Sequence, residues 1–208
     1  MTLQLLGRTS SCNVQKVIWF CEEASITYEN KFYGGKHGGT KDDFFKSLNP
    51  NSTVPVIDDN GFVLYESNAI IRYLSNKNKF LQLDNYEDVA LCYQWMDWAS
   101  FTLAAPCAIV TLNTMVLPED KRDSDKVSKS KLQVLSLLKI LDKHLLNNDF
   151  IVGGHFSLAD IPAGCWYNRC LNFDLDLSNY QGLNSWGLRL SDRKAYQKAI
   201  INAPLPPH

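Results

Sequence analysis

Residues 52 to 71, Ser-Thr-Val-Pro-Val-Ile-Asp-Asp-Asn-Gly-Phe-Val-Leu-Tyr-Glu-Ser-Asn-Ala-Ile-Ile, concentrate the groups best suited to hold a ligand. Val54 and Val56-Ile57 favour a strand, but Pro55 between them cannot donate to a ladder, so it belongs at a strand start or edge. A proline there is a candidate for a cis bond, which frees neighbouring backbone groups to face outward. The N–H and C=O of Val54 could then pair with an extended ligand as one more strand would. Asp59-Asn60-Gly61 is turn chemistry, so Phe62-Val63-Leu64 should return antiparallel. Glu66-Ser67 then precedes a helix with apolar spacing from Asn68 to Leu74. Free N–H groups and the positive dipole end make such a helix start an anion site. Together these pieces describe a site that holds a peptide-like ligand by its backbone and its charged end. The plainer alternative is that Ser67 only caps a helix and Pro55 only marks an edge.

The elements that would position this segment read as follows. Residues 2 to 6 form a strand ended by Gly7. Residues 11 to 24 form a helix on Val14, Val17, Ile18 and Cys21, with Ser11 as its cap. Ile26 to Tyr33 resembles a second strand. Gly34 to Gly39 is a flexible loop that fits no nucleotide-binding fingerprint. A short helix runs from Lys41 to Leu48, closed by Asn49-Pro50. The order β-α-β-α-β-β-α implies parallel pairing plus an antiparallel hairpin edge. After about residue 80 strand signals vanish. Helices are expected over Tyr86 to Met115, Glu119 to Leu146 (on Leu132, Leu135, Leu138, Leu141 and Leu145), Ile161 to Leu171 and Gly182 to Ser191. The charge run from Glu119 to Lys131 reads as a solvated helix face. Ser157-Leu158-Ala159-Asp160 is a capping box, and the proline-rich tail from Ala203 to His208 cannot be helical. The expected domains are 1–78 and 86–202.

With 208 residues, 45% hydrophobic and 21% charged, the chain is of ordinary globular composition. A formal net charge of -1 gives no reason to expect nucleic acid. No apolar run approaches the roughly 20 residues of a membrane span, and the N-terminus does not look like a signal peptide. The six cysteines form no Cys-x-x-Cys pair and the four histidines lack ligand spacing, so neither a metal site nor a disulfide framework is expected. Buried cysteines in a reducing cytoplasm are the simplest reading.

Four motifs in order resemble the cytosolic glutathione transferases. Ser11-Cys12-Asn13-Val14-Gln15-Lys16-Val17 is similar to the family's Ser-x-x-x-x-[Lys/Arg]-Val segment. Asn49-Pro50-x-x-x-Val54-Pro55-Val56 resembles its Asn-Pro-x-x-x-Val-Pro motif, and Tyr65-Glu66-Ser67-x-Ala69-Ile70 its Glu-Ser-x-Ala-Ile motif. Ser157-x-x-Asp160 matches the cap of its core C-terminal helix. The resemblance implies an α/β thioredoxin-like N-terminal domain followed by an all-α helical bundle, a homodimer, and glutathione as a substrate.

It also implies roles. Ser11 would donate its hydroxyl to the glutathione sulfur. A cysteine thiol has a reference pKa of about 8.5, and lowering it by about two units takes about 2.7 kcal/mol of preference for the thiolate. A charge-assisted hydrogen bond and a helix dipole supply much of this. Asn13 is a rival, because some bacterial relatives pair Thr or Ser with an Asn amide near the sulfur. Cys12 could form a mixed disulfide, but the cysteine of that branch aligns with Ser11. Thr9 and Ser10 keep the assignment open. Val54, next to Pro55, would pair with the cysteinyl backbone. Glu66 would meet the γ-glutamyl ammonium and Ser67 its carboxylate, while Lys41 would meet the glycine carboxylate. Thr53 stands where Gln or Lys is common in the family. Arg8, Thr9, Trp98, Phe101 and Thr102 are the candidates for the electrophile pocket, and Asp97 for reaching across a dimer. Peroxide reduction by the same thiolate, a non-catalytic protein on the same fold, and a thiol-disulfide reductase are the other functions considered.

Overall fold

The structure is a computed structural model and describes residues 2–206. Its first half builds strand β1 (Leu3–Leu6), helix α1 (Cys12–Glu23), β2 (Tyr28–Lys31), α2 (Asp43–Leu48), β3 (Val56–Asp59), β4 (Phe62–Tyr65) and α3 (Ser67–Asn78). The sheet order is β2-β1-β3-β4. β1 and β2 are parallel, while β3 pairs antiparallel with both β1 and β4. This is the thioredoxin-like β-α-β-α-β-β-α unit. The strands are shorter than expected: Ile26 and Phe32-Tyr33 fall outside β2, and only Tyr28 to Lys31 find partners on β1. Asn60 and Gly61 both take positive φ, at 58° and 91°. That is the two-residue turn that lets a right-twisted hairpin close, and it explains this Asn-Gly pair.

The second half is helical. A continuous run from Tyr86 to Val116 contains α4 (Tyr86–Asp97), a π-helical turn (Trp98–Leu103), α5 (Ala104–Thr111) and a second π turn (Leu112–Val116). It amends the expectation about apolar runs: it is long and apolar enough to cross a membrane, although 44% of its most apolar stretch is buried within the protein. A core helix of a globular bundle passes the same test, because sparse charge and a wide apolar face satisfy both settings. Then come α6 (Ser124–Leu145), α7 (Asp160–Cys170), α8 (Gln181–Ser191) and α9 (Lys194–Tyr196), the last continuing as a π turn to Ile201.

Three further details differ from the sequence reading. Glu119 to Lys121 forms a separate 3-10 turn, so α6 starts at Ser124, capped by Asp123 accepting from the Lys126 N–H. Leu132 is 67% exposed, and Val134, Leu138, Leu141 and Leu145 carry the buried face instead. The segment from Lys194 to Ile201 is helical although no helix was expected there. Its Tyr196 sets an edge against Trp19 of α1 at 4.7 Å, a tertiary contact that local sequence does not announce. Ala203 to Pro206 are outside any helix, and the last two tail residues lie outside the described residues.

Helix α1 is the axis of the molecule. Nine of its twelve residues are buried, because the sheet and α3 cover one side and α7 covers the other. Gly164 permits the second contact: a Cβ there would sit 2.8 Å from the Trp19 ring. The N-terminus of α1 therefore opens where the two halves meet.

Candidate functional site

The loop before α1 is held by its own carbonyls. Thr9 C=O accepts from Gln15 Nε2 at 2.9 Å, and Ser10 C=O accepts from Arg169 Nη2 at 3.0 Å. Gln15 and Arg169 are both buried, so these tethers are shielded from water. Ser11 follows as the N-cap residue of α1, in extended conformation, and its hydroxyl makes no capping bond. A serine in that position normally spends its oxygen on the helix. This one is half-buried and keeps its hydroxyl for something else.

Cys12, which borders the same space as Ser11, packs inward. It is buried, its Sγ lies 4.0 Å from the carbonyl of Cys165, and burial pushes its thiol pKa up. Asn13 is exposed at the first turn of α1. Its Oδ1 faces Ser67 Oγ at 3.5 Å, which brings the starts of α1 and α3 side by side. One turn along α1, Lys16 reaches the same point. Its Nζ donates to Ser67 Oγ at 3.4 Å and to Ser100 Oγ at 2.9 Å, with the residue 1% exposed. Burial holds its pKa down at about 8, and the Glu66 carboxylate is among the groups that oppose the shift. A buried ammonium whose nearest partners are two hydroxyls gains little compensation, so an anion arriving here is strongly favoured.

Glu66 stands at the N-cap of α3 with φ 70° and ψ 110°. A non-glycine residue in that region costs about 1–3 kcal/mol, a strain found mainly where function fixes the backbone. The carboxylate is exposed on the rim of a cleft of about 420 Å³, lined also by Asn13, Lys16, Ser67, Asp97 and Phe101. The Val54–Pro55 bond is cis. Buried Asn49 donates to the Thr53 carbonyl at 2.8 Å and to Thr53 Oγ1 at 3.2 Å, fixing the approach to Val54. On the other side of Ser11 lies a second cavity of about 240 Å³, between the loop and helices α5 and α7. The site thus offers a free hydroxyl at a helix N-terminus, an anion-seeking cleft on one side and a mostly apolar cavity on the other.

Comparison with known proteins places this geometry. Residues 1–76 match the family model described as "Glutathione S-transferase, N-terminal domain", and residues 101–194 match "Glutathione S-transferase, C-terminal domain". Glutathione S-transferase GstB of Escherichia coli strain K12 is 30% identical over 203 residues, covering 96% of this chain and 98% of that one. The chain belongs to the glutathione S-transferase family. The crystal structure of a theta class glutathione S-transferase from Xanthomonas axonopodis pv. citri, with glutathione bound, superposes with a TM-score of 0.93. It is 32% identical and covers 97% of this chain and 98% of its own. Disulfide-bond oxidoreductase YfcG of E. coli K12 is 26% identical, covering 93% of this chain and 92% of its own.

On this glutathione S-transferase scaffold the expected site residues fall into groups. Ser11 and Asn13 line the 240 Å³ cavity, and Asn13 with Glu66 and Ser67 lines the cleft. Lys41 is exposed just before α2, and Thr53, Val54 and Pro55 lead into β3. The structure does not bring the five electrophile-pocket candidates together. Arg8 lines the cavity. Phe101, 75% exposed, lines the cleft instead. Thr102 faces a separate groove against Leu132 and Leu137, and Trp98 turns onto Trp95 at 5.1 Å. Thr9 is half-buried in the loop with its carbonyl tethered. Asp97 pairs with Arg72 at 2.9 Å. The π turn from Trp98 to Leu103 changes the phase of the long helix, so its aromatic series does not present one face. Sequence reasoning missed Lys16 as a cleft residue and Arg169, Trp166, Thr111 and Leu112 as cavity residues. A lysine at an inward helical position and an arginine inside an otherwise apolar helix were the available signals. Among the described residues, no group of three or more His, Cys, Asp or Glu side chains could hold a metal ion.

Proposed function

We propose that this chain is a glutathione transferase that holds the thiol of glutathione as a thiolate and adds it to small electrophiles. The observation that carries the reading is the uncapped Ser11 hydroxyl at the start of α1, flanked by the cleft that contains Glu66, Ser67 and Lys16. Glutathione lies across the cleft. Its cysteinyl backbone pairs with Val54, presented by the cis Val54–Pro55 bond. Its γ-glutamyl carboxylate meets Ser67 and the α3 N-terminus, and its ammonium meets Glu66. Lys16 adds the buried charge that completes this end, and Lys41 faces the glycine carboxylate. Ser11 donates to the sulfur, with the α1 dipole behind it.

The same chemistry supports peroxide reduction. Residues 1–78 form the glutathione-binding domain and residues 86–202 the helical domain. All six cysteines are free and buried, in keeping with a reducing cytoplasm. The chain acts as a homodimer: exposed Phe62, Tyr93 and Phe101 are the apolar surface a partner subunit would cover. Sedimentation should give twice the chain mass of 23.6 kDa, and a mass of one chain overturns the dimer.

Titration with glutathione tests the reading directly. Calorimetry should show saturable binding, and the chain should accelerate glutathione addition to 1-chloro-2,4-dinitrobenzene. No heat and no turnover would leave a non-catalytic protein on the same fold. The thiol-disulfide alternative, which the name of the E. coli relative YfcG raises, needs a reactive cysteine. Cys12 is buried with a raised pKa, so iodoacetamide should leave conjugation intact. Loss of activity on alkylation of Cys12, matched by loss in Cys12→Ala, would favour the reductase.

A further inference from the structure

Two arginines line the cavity beside Ser11, and among the described residues no Asp or Glu side chain pairs with either of them. Arg169 is 2% exposed; its Nη2 donates to the Ser10 carbonyl and its Nη1 lies 3.9 Å from the Met115 sulfur. Arg8 is half-buried and also lines the cavity, its side chain running along Gly34 and Gly35, and its pKa is lowered by burial and then by the positive charge of Arg169. Among the described residues, no ion pair within 4.0 Å involves either one, and no Asp or Glu lines the cavity. Two partly desolvated like charges facing one space are costly unless an anion joins them.

A second, independent observation concerns neutral donors in the same walls. Trp166 Nε1 and Thr111 Oγ1 are both buried without a hydrogen-bond partner, and both residues line this cavity. Folded proteins leave few such groups, and a cluster at one cavity calls for an acceptor. Leu112, Val116, Ala108 and Pro206 give it an apolar side, facing the loop from Ser10 to Asn13. The cavity therefore combines cations, spare donors and an apolar floor, within reach of Ser11.

We propose that this cavity selects electrophiles that carry a carboxylate on a small apolar body. The inference rests on the reading of Ser11 as the place where the thiolate is held. Arg169 and Arg8 receive the carboxylate through charge-assisted bonds, the geometry guanidinium offers best. Trp166 and Thr111 complete its hydrogen bonds, and the apolar body lies on Leu112 and Val116. With a haloaryl acid the thiolate forms the carbon–sulfur bond, and the carbon–halogen bond breaks with its electron pair leaving as halide. The thiol proton goes to solvent and the carboxylate is unchanged.

The test compares matched probes that differ only in charge. Binding of unreactive 4-nitrobenzoate and 4-nitrobenzamide is measured by calorimetry on the full chain saturated with glutathione. The benzoate should bind about tenfold tighter or more, and the gap should close in Arg169→Met and in Arg8→Met. Equal affinity for the two probes in the unsubstituted protein overturns the proposal, and needs no variant to fold. Displacement of the benzoate by glutathione also overturns it, because the anion site would then belong to glutathione itself. Conjugation of 4-chloro-3-nitrobenzoate and its amide supplies a second reading, with each rate divided by its uncatalysed rate. A preference for the amide or none at all overturns the proposal. Failure to conjugate either one, together with no turnover of 1-chloro-2,4-dinitrobenzene, sinks the transferase reading alone, since the binding comparison still decides the specificity.

Discussion

Replacing Ser11 by Ala is expected to lower kcat/KM for 1-chloro-2,4-dinitrobenzene about 100-fold. The hydroxyl is uncapped and half-buried, so its removal breaks no bond within the protein. What is lost, on the proposed function, is the donor to the sulfur. If that donor lowers the thiol pKa by about two units, the full effect of its loss is about 2.7 kcal/mol. The pH–rate profile separates this from a general disturbance. Its acidic limb should move up by about two units, with glutathione affinity changed far less, because the γ-glutamyl end is held elsewhere. An Asn13→Ala variant measured alongside resolves the rival assignment. If Asn13→Ala shifts the limb and Ser11→Ala does not, the donor is the amide and Ser11 is only a cap residue.

Asp160→Ala should be the most destabilising single change in the helical half, at about 3–5 kcal/mol. The Asp160 carboxylate is wholly buried and accepts four hydrogen bonds. They come from the Ile151 and Ser157 N–H groups, the Ser157 hydroxyl and Trp186 Nε1, at 2.9 to 3.1 Å. Removing the acceptor strands three N–H donors in the core, and each unpaired buried group costs about 1–3 kcal/mol. Against a typical total of about 5–15 kcal/mol, this endangers the fold. The midpoint of urea unfolding should fall while its slope stays constant. A change below about 1 kcal/mol would show that water replaces the carboxylate and that the cap is local only.

The sequence disclosed most of the fold and the cleft because both depend on local rules. Pro55, the Asn60-Gly61 turn and Glu66-Ser67 are constrained by backbone geometry within a few residues. The Ser157-Asp160 box is a short-range device too, although its carboxylate also reaches Trp186, which no local rule foresees. The cavity beside Ser11 was not legible, because its walls come from stretches of chain between residues 8 and 13, 108 and 116, 166 and 169, and from residue 206. Which side of a long helix faces such a space depends on its phase. The π turns at Trp98–Leu103 and Leu112–Val116 reset that phase without a sequence signal. Leu132 failed for a related reason. It sits in an apolar series, yet the buried stripe runs through Val134 and Leu138.

The tether from Arg169 to the Ser10 carbonyl has a consequence for how such an enzyme can change over time. If the cavity takes the second substrate as proposed, one side chain both faces that substrate and fixes the loop that carries Ser11. A substitution there alters what the enzyme accepts and how well it activates its thiol in the same step. Changes at position 169 should therefore be strongly epistatic with changes at positions 10 and 11, with double variants departing from the sum of the singles. Leu112 and Val116 touch the cavity without touching the loop's tethers. They are the positions where new substrate ranges can be sampled in laboratory evolution at small cost to catalysis, while Arg169 stays locked.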